Sequence, residues 1–148
     1  MISGDEVPHR VRTLATNANN GALSRIQFQR NRGAKTEYYP IAAAGLYRKI
    51  QLQGWECPYC GNKISLTYCH VDHIYPIGKK GIHCLGNVII SCVSCNLDKH
   101  DHDLKDWLGR KRYLEIMKFF DDINDQLEME GYNPWNYAND NETPIDDS

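Results

Sequence analysis

Hydrophobic and polar positions are arranged differently in successive stretches of this chain. Residues 1–39 are polar and weakly periodic; Leu23, Ile26 and Arg30 fall on related faces, which predicts a short helix around 21–30. From Pro40 the signal sharpens. The run from Pro40 to Gly54 has a proline suited to a first helical turn, three consecutive alanines, and a glycine able to take the left-handed conformation at the end. Thr67 to Tyr75 reads as a strand stopping at Pro76, and Gly78-Lys79-Lys80-Gly81 as a loop. Asn87 to Ser91 reads as a second strand, and Cys92 to His100 as a short helix. Asp103 suits a helix N-cap, with Asp106 as a partial capping box and Gly109 as an interruption. Tyr113, Met117, Phe120, Ile123 and Leu127 then repeat at helical spacing up to Gly131, a stripe that packs on a core or a partner.

This order defines an α+β protein of one domain with extensions. Residues 1–54 form a basic N-terminal arm and helix, 55–102 the central unit, and 103–131 a C-terminal helical extension. Residues 132–148 read as an acidic tail expected to be disordered. The hydrophobic fraction of 41% supports a core, though a small one that a metal would help. No apolar run approaches the roughly 20 residues of a membrane helix, and the N-terminus has no apolar signal segment. The expectation is a soluble, cytoplasmic protein. Charge adds a direction. Residues 1–50 hold eight Lys/Arg against three Asp/Glu, and residues 101–148 hold five against thirteen. That asymmetry suits a DNA-facing N-terminal half, with Arg25, Arg30, Arg32 and Lys35 clustered beside Gln27 and Gln29.

Six cysteines in a chain with no export signal argue for metal ligation over disulfides. Cys57-Pro-Tyr-Cys60-Gly61 and Cys92-Val-Ser-Cys95 each allow a tight turn to aim two sulfurs at one ion. Four thiolates close a tetrahedral Zn²⁺ site with no open position, which makes it structural. The 31 residues between the pairs exceed the roughly 15–20 of a simple zinc ribbon, leaving room for the strand-loop-strand segment. Cys69 and Cys84 stand outside the pattern and read as small buried residues, with a second metal site at His83 and Cys84 as the alternative.

Between the cysteine pairs lie the residues with hydrolytic chemistry. Phosphodiester hydrolysis needs an activated water and neutralisation of charge on the phosphoryl and leaving oxygens. Asp72 and Asn96 offer oxygen ligands to a divalent cation, and His73, neutral near pH 7, can take a proton from water. Asp72 and His73 are adjacent, and Asn96 directly follows Cys95, so the zinc knot positions it.

The order Cys-x-x-Cys, Asp72-His73-Ile-x-Pro76, a Gly-containing loop, Asn87, then Cys92-x-x-Cys95-Asn96-x-x-Lys99 resembles the HNH endonuclease family over about residues 55–102. The resemblance implies a ββα-metal, treble-clef-like core with flanking N- and C-terminal helices. It implies His73 as general base and Asp72 as a ligand of catalytic Mg²⁺ or Mn²⁺. Asn87 would hold the His73 segment across the loop, and Asn96 would replace the family's last histidine as a ligand. His100, four residues on, becomes a third ligand if the helix persists. Lys99 becomes a phosphate contact, and His70, on the same strand face as Asp72, an auxiliary or supporting group. The activity implied is metal-dependent DNA cleavage leaving 3′-hydroxyl and 5′-phosphate ends, with Arg25, Arg30 and Arg32 contributing to substrate binding.

Two rivals stand beside it: a non-catalytic zinc-finger DNA-binding module, and a nuclease subunit that depends on a protein partner docked on the C-terminal helix. A short chain cutting both strands would act as a homodimer, and a single copy as a nickase.

Overall fold

The computed structural model describes residues 2–31, 37–77 and 81–135. Arg32, Lys35, the lysines of the 78–81 loop and most of the acidic tail fall outside them.

The first helix, α1, runs over His9–Asn31, far longer than the short segment expected around 21–30. Its buried face is a stripe of Val11, Ala15, Ala22 and Ile26. These side chains are mostly small, and polar residues separate them, so the periodic signal is weak although the spacing is helical. Helix α2, Ala43–Leu52, begins later than Pro40. Both backbone groups of Ile41 are engaged by the Asn19 amide on α1, which holds that residue outside the helix. At the other end Gly54 takes φ +68°, as its residue type allows, and Trp55 follows at +58°.

Strand β1, His70–His73, pairs antiparallel with β2, Val88–Ser91, in the register His70 to Ser91, Asp72 to Ile89 and His73 to Val88. β1 is shorter than the Thr67–Tyr75 expectation because the N–H and C=O of Tyr75 bond the Asn87 side chain, not a neighbouring strand. Helix α3, Val93–Lys99, follows β2 directly. Strand, strand and short helix thus form the ββα unit.

Helix α4, Leu104–Leu108, is capped by the Asp103 carboxylate on the Lys105 N–H. Gly109, at φ +82°, separates it from α5, Arg110–Met129. The α5 stripe is buried: Ile116, Phe120, Ile123 and Leu127 enter the same core as Val11, Ile50, Val88 and Ile90. Tyr113 and Met117 pack against its edge. That stripe is therefore occupied by the chain's own core and is not a free docking face for a partner. No helix among the described residues is long and apolar enough to cross a membrane.

Candidate active site

Two short segments build the cysteine knot. The Cys57 turn is closed by Cys57 N–H to the Asn62 carbonyl (2.8 Å) and Gly61 N–H to the Cys57 carbonyl (2.8 Å), with Gly61 at φ +79°. The second pair sits at the start of α3, where Cys92 is the N-cap and its sulfur accepts from the Cys95 N–H at 3.4 Å. The sulfurs of Cys57, Cys60, Cys92 and Cys95 all lie within 4.8 Å of one another, and Cys60 and Cys92 are 3.7 Å apart. A ZnS₄ tetrahedron with Zn–S about 2.3 Å has an edge of roughly 3.8 Å, so the set fits structural Zn²⁺. Burial and the adjoining thiols of Cys92 and Cys60 push the Cys95 thiol up, a cost that ligation as thiolate removes. Among the described residues this is the one cluster of His, Cys, Asp and Glu close enough to share an ion. His83 and Cys84 form no such group; both are buried.

Asp72 is 6% exposed, and both of its oxygens are engaged. Tyr59, inside the first cysteine turn, donates its hydroxyl to Oδ2 at 3.0 Å; Lys99 Nζ lies 3.3 Å from Oδ1. Burial pushes the carboxyl up from its ordinary value, while Lys99 and Tyr59 pull it down. Lys99 corrects its sequence reading as a phosphate contact: its side chain is fully buried, and it also donates to the His73 carbonyl at 2.9 Å. Its charge holds β1 and Asp72 from beneath.

His73 is 5% exposed, and its Nε2 lies 2.9 Å from Nδ1 of His83. His83 is fully buried, stacked on Tyr38 at 5.0 Å, and its Nε2 meets Asn19 Oδ1 at 2.7 Å. Burial, then His83 and the positive Arg25 and Lys99, lower His73 to about 3; burial and Arg25 lower His83 to about 4. Both rings are neutral at physiological pH.

Asn87 is buried and spans the loop between the strands. It accepts from Tyr75 N–H (3.0 Å) and donates to the carbonyls of Tyr75 (3.0 Å) and Ile82 (2.7 Å). Its own carbonyl accepts from Ile74 N–H at 2.8 Å. Gly81 lies under the same loop, where a Cβ would overlap the Tyr75 carbonyl.

Asp72, His73 and Asn96 all line one open cleft of about 850 Å³, and Arg25 on α1 lines its wall. His70 lines it too, with Nδ1 2.5 Å from the Asn96 amide. Arg30 lies near the end of α1. His100 departs from expectation. Helix α3 ends at Lys99, and His100 takes φ +49°, so it does not continue the Asn96 face. It borders the cleft but is largely exposed, and its Nδ1 pairs with Asp101 at 2.8 Å.

Sequence reasoning missed three supporting residues. Tyr59 occupies a spacer position in Cys-x-x-Cys, where an aromatic carries no signal. His83 carries no signal in sequence beyond its place beside Cys84. Asn19 did leave a trace: it interrupts the buried α1 stripe between Ala15 and Ala22.

Residues 57–102 match the family model described as HNH endonuclease. A CRISPR-associated endonuclease Cas9 from Actinomyces naeslundii is 36% identical over 59 residues, 39% of this chain and 5% of that protein. Another, from Corynebacterium diphtheriae, is 31% identical over 62 residues, 41% of this chain and 6% of that protein. The crystal structure of the Type II-C Cas9 enzyme from Actinomyces naeslundii aligns with 76% of this chain and 13% of its own, at 20% identity and a TM-score of 0.39. This chain thus spans about a twentieth of the length of the curated relatives it matches. The four-cysteine cluster and the ββα unit thus lie in the segment, Cys57 to His102, that matches the HNH endonuclease family.

Proposed function

We propose that the protein is a metal-dependent DNA endonuclease that hydrolyses phosphodiester bonds with His73 as general base. The observation that carries this reading is the convergence of Asp72, His73 and Asn96 on one open cleft whose wall includes Arg25. A neutral imidazole there can take a proton from water as the water oxygen bonds to phosphorus. The bond from phosphorus to the 3′ oxygen breaks, and that oxygen takes a proton from solvent water, leaving a 3′-hydroxyl and a 5′-phosphate. Asp72 and Asn96 are the oxygen donors that would hold Mg²⁺ or Mn²⁺. When bound, such an ion neutralises charge on the phosphoryl and leaving oxygens. Buried His73 has a low affinity for the proton it accepts; negative charge on the reacting phosphate favours the imidazolium. Arg25 and Arg30 on α1, with Arg32 beyond the described residues, bind the phosphate backbone. Residues 1–54 then act as the substrate-recognition arm, and double-strand cleavage calls for two copies.

A second reading, dependence on further protein, is favoured by the small share of the relatives' length that the match covers. Plasmid cleavage with and without Mg²⁺ or Mn²⁺ tests the first. The intact protein cuts only with the ion, and His73→Ala loses about 10²–10⁴-fold in rate while keeping its zinc and fold. A folded, zinc-loaded His73→Ala that cuts as fast as the parent removes His73 as base. Conversion of supercoiled DNA to open circles alone identifies a nickase.

A further inference from the structure

We propose that Asn19 and His83 are positioning residues that choose the working nitrogen of His73: its Nε2 carries the ring hydrogen, and Nδ1 is the atom that takes the proton. The inference rests on the reading of His73 as general base and adds which atom performs the step and what selects it.

The selection starts at a backbone that cannot be flipped. Asn19 Nδ2 donates to the Ile41 carbonyl at 3.1 Å, and Asn19 Oδ1 accepts from the Ile41 N–H at 2.9 Å. An amide N–H only donates and a carbonyl only accepts, so these two bonds fix which end of the Asn19 side chain is oxygen. That oxygen lies 2.7 Å from His83 Nε2. Two oxygens or unprotonated nitrogens cannot hydrogen-bond each other, so His83 Nε2 carries the hydrogen. In a neutral ring the other nitrogen is then the acceptor. His83 Nδ1 faces His73 Nε2 at 2.9 Å and accepts, which leaves His73 Nε2 as the donor and His73 Nδ1 with the free lone pair.

His83 suits this relay because its backbone and its ring are both held. Its N–H donates to the Glu37 carbonyl at 3.1 Å, its carbonyl accepts from the Tyr39 N–H at 2.7 Å, and its ring stacks on Tyr38. Carrying both hydrogens would make it a fully buried cation facing neutral partners, with the positive Arg25 as the charge acting on it. The N-terminal helix thereby supplies part of the catalytic apparatus, although Asn19 does not reach substrate.

Nitrogen-15 imidazole spectra of the intact, zinc-loaded 148-residue chain read the tautomers directly, without DNA. His73 and His83 are both expected as Nε2–H forms. A parent protein with the hydrogen of His73 on Nδ1 overturns the relay, whether or not it cuts plasmid. Kinetics supply the second arm. His83→Phe keeps a ring against Tyr38 but removes the acceptor; kcat falls about 10- to 100-fold, the usual effect of losing an outer hydrogen-bond partner, with KM for DNA unchanged. His83→Gln, which restores an acceptor opposite His73 Nε2, recovers most of that loss. Asn19→Leu scrambles both tautomers. Unchanged kcat in His83→Phe, or equal losses in the Phe and Gln variants, overturns the assignment. A parent that shows both Nε2–H forms yet never cuts DNA leaves the relay standing and overturns the nuclease reading instead.

Discussion

The cysteine knot and the cleft beside it are adjacent, yet they are held together in opposite ways. Each half of the knot is a short local segment, and its turn is closed by its own backbone hydrogen bonds. In the cleft, Asp72 and His73 from β1 are held from behind by Tyr59 from the knot, Lys99 from α3, His83 from the inter-strand loop and, through His83, Asn19 from α1. A metal site concentrates its stabilisation in one ion, whereas a buried carboxylate and a buried imidazole need several partners from different parts of the chain. The two are also joined. Tyr59 runs from the first cysteine turn to Asp72, and Asn96 follows Cys95, so the knot supports both of these cleft residues.

Removing the ion separates the two regions most sharply. Chelation of zinc, or Cys95→Ala, is expected to remove most of the protein's stability, a change of order 5 kcal/mol or more. Thermal unfolding beside metal analysis checks this, with about one tightly held zinc per chain in the intact protein. A chain that stays folded without zinc would show that the cleft's network stands alone.

Lys99→Met attacks the cleft and spares the knot. It leaves the Asp72 carboxylate buried without its cation, at a cost of about 3–5 kcal/mol in denaturant unfolding, and lowers cleavage with zinc content unchanged.

Lys49 gives a milder test on the far side of the loop. It too is fully buried, but it donates only to the carbonyls of Leu85 (2.5 Å) and Val88 (2.6 Å). Burial brings its ammonium down from 10.5 to about 7. Below pH 7 it is charged in folded and unfolded chains alike. Between 7 and 10.5 the unfolded chain holds the extra proton, so this residue's contribution to stability rises with pH. Lys49→Met is expected to flatten that rise when unfolding is compared at pH 6, 8 and 10.

The smallest effect belongs to the α2–α5 brace, remote from both regions. Arg48 grips Glu130 through both carboxylate oxygens, at 2.6 and 2.9 Å, which holds Glu130 at about 2 against an ordinary 4.5. Its stabilisation is present above pH 4.5 and is lost as pH falls toward 2. The pair is partly solvated, so Arg48→Ala costs only about 1 kcal/mol near neutral pH and leaves cleavage untouched.

How much of the site could be read in advance depended on whether a residue's neighbours in sequence were also its partners. The cysteine pairs, the Asp103 cap and the Gly109 break are local, and the structure forms them where spacing predicted. His100 shows the limit of helical spacing: α3 stops at Lys99, and the histidine side chain lies largely exposed beside Asp101. Lys99 shows a different limit. A lysine beside a candidate site reads as a phosphate ligand, but it points inward because Asp72 is buried and needs a cation.

Taken alone, the chain's residues determined the zinc ligands, the ββα order between them and the Asp72-His73 pair, because turns, caps and metal spacings act over a few residues. Tertiary structure decided that α1 closes the wall of the cleft, that Tyr59 and Lys99 hold Asp72, and that Asn19 reaches His73 through His83. Those contacts join residues far apart in sequence. They are set by the burial of polar groups, each of which takes whichever partner the packed elements bring within hydrogen-bond reach.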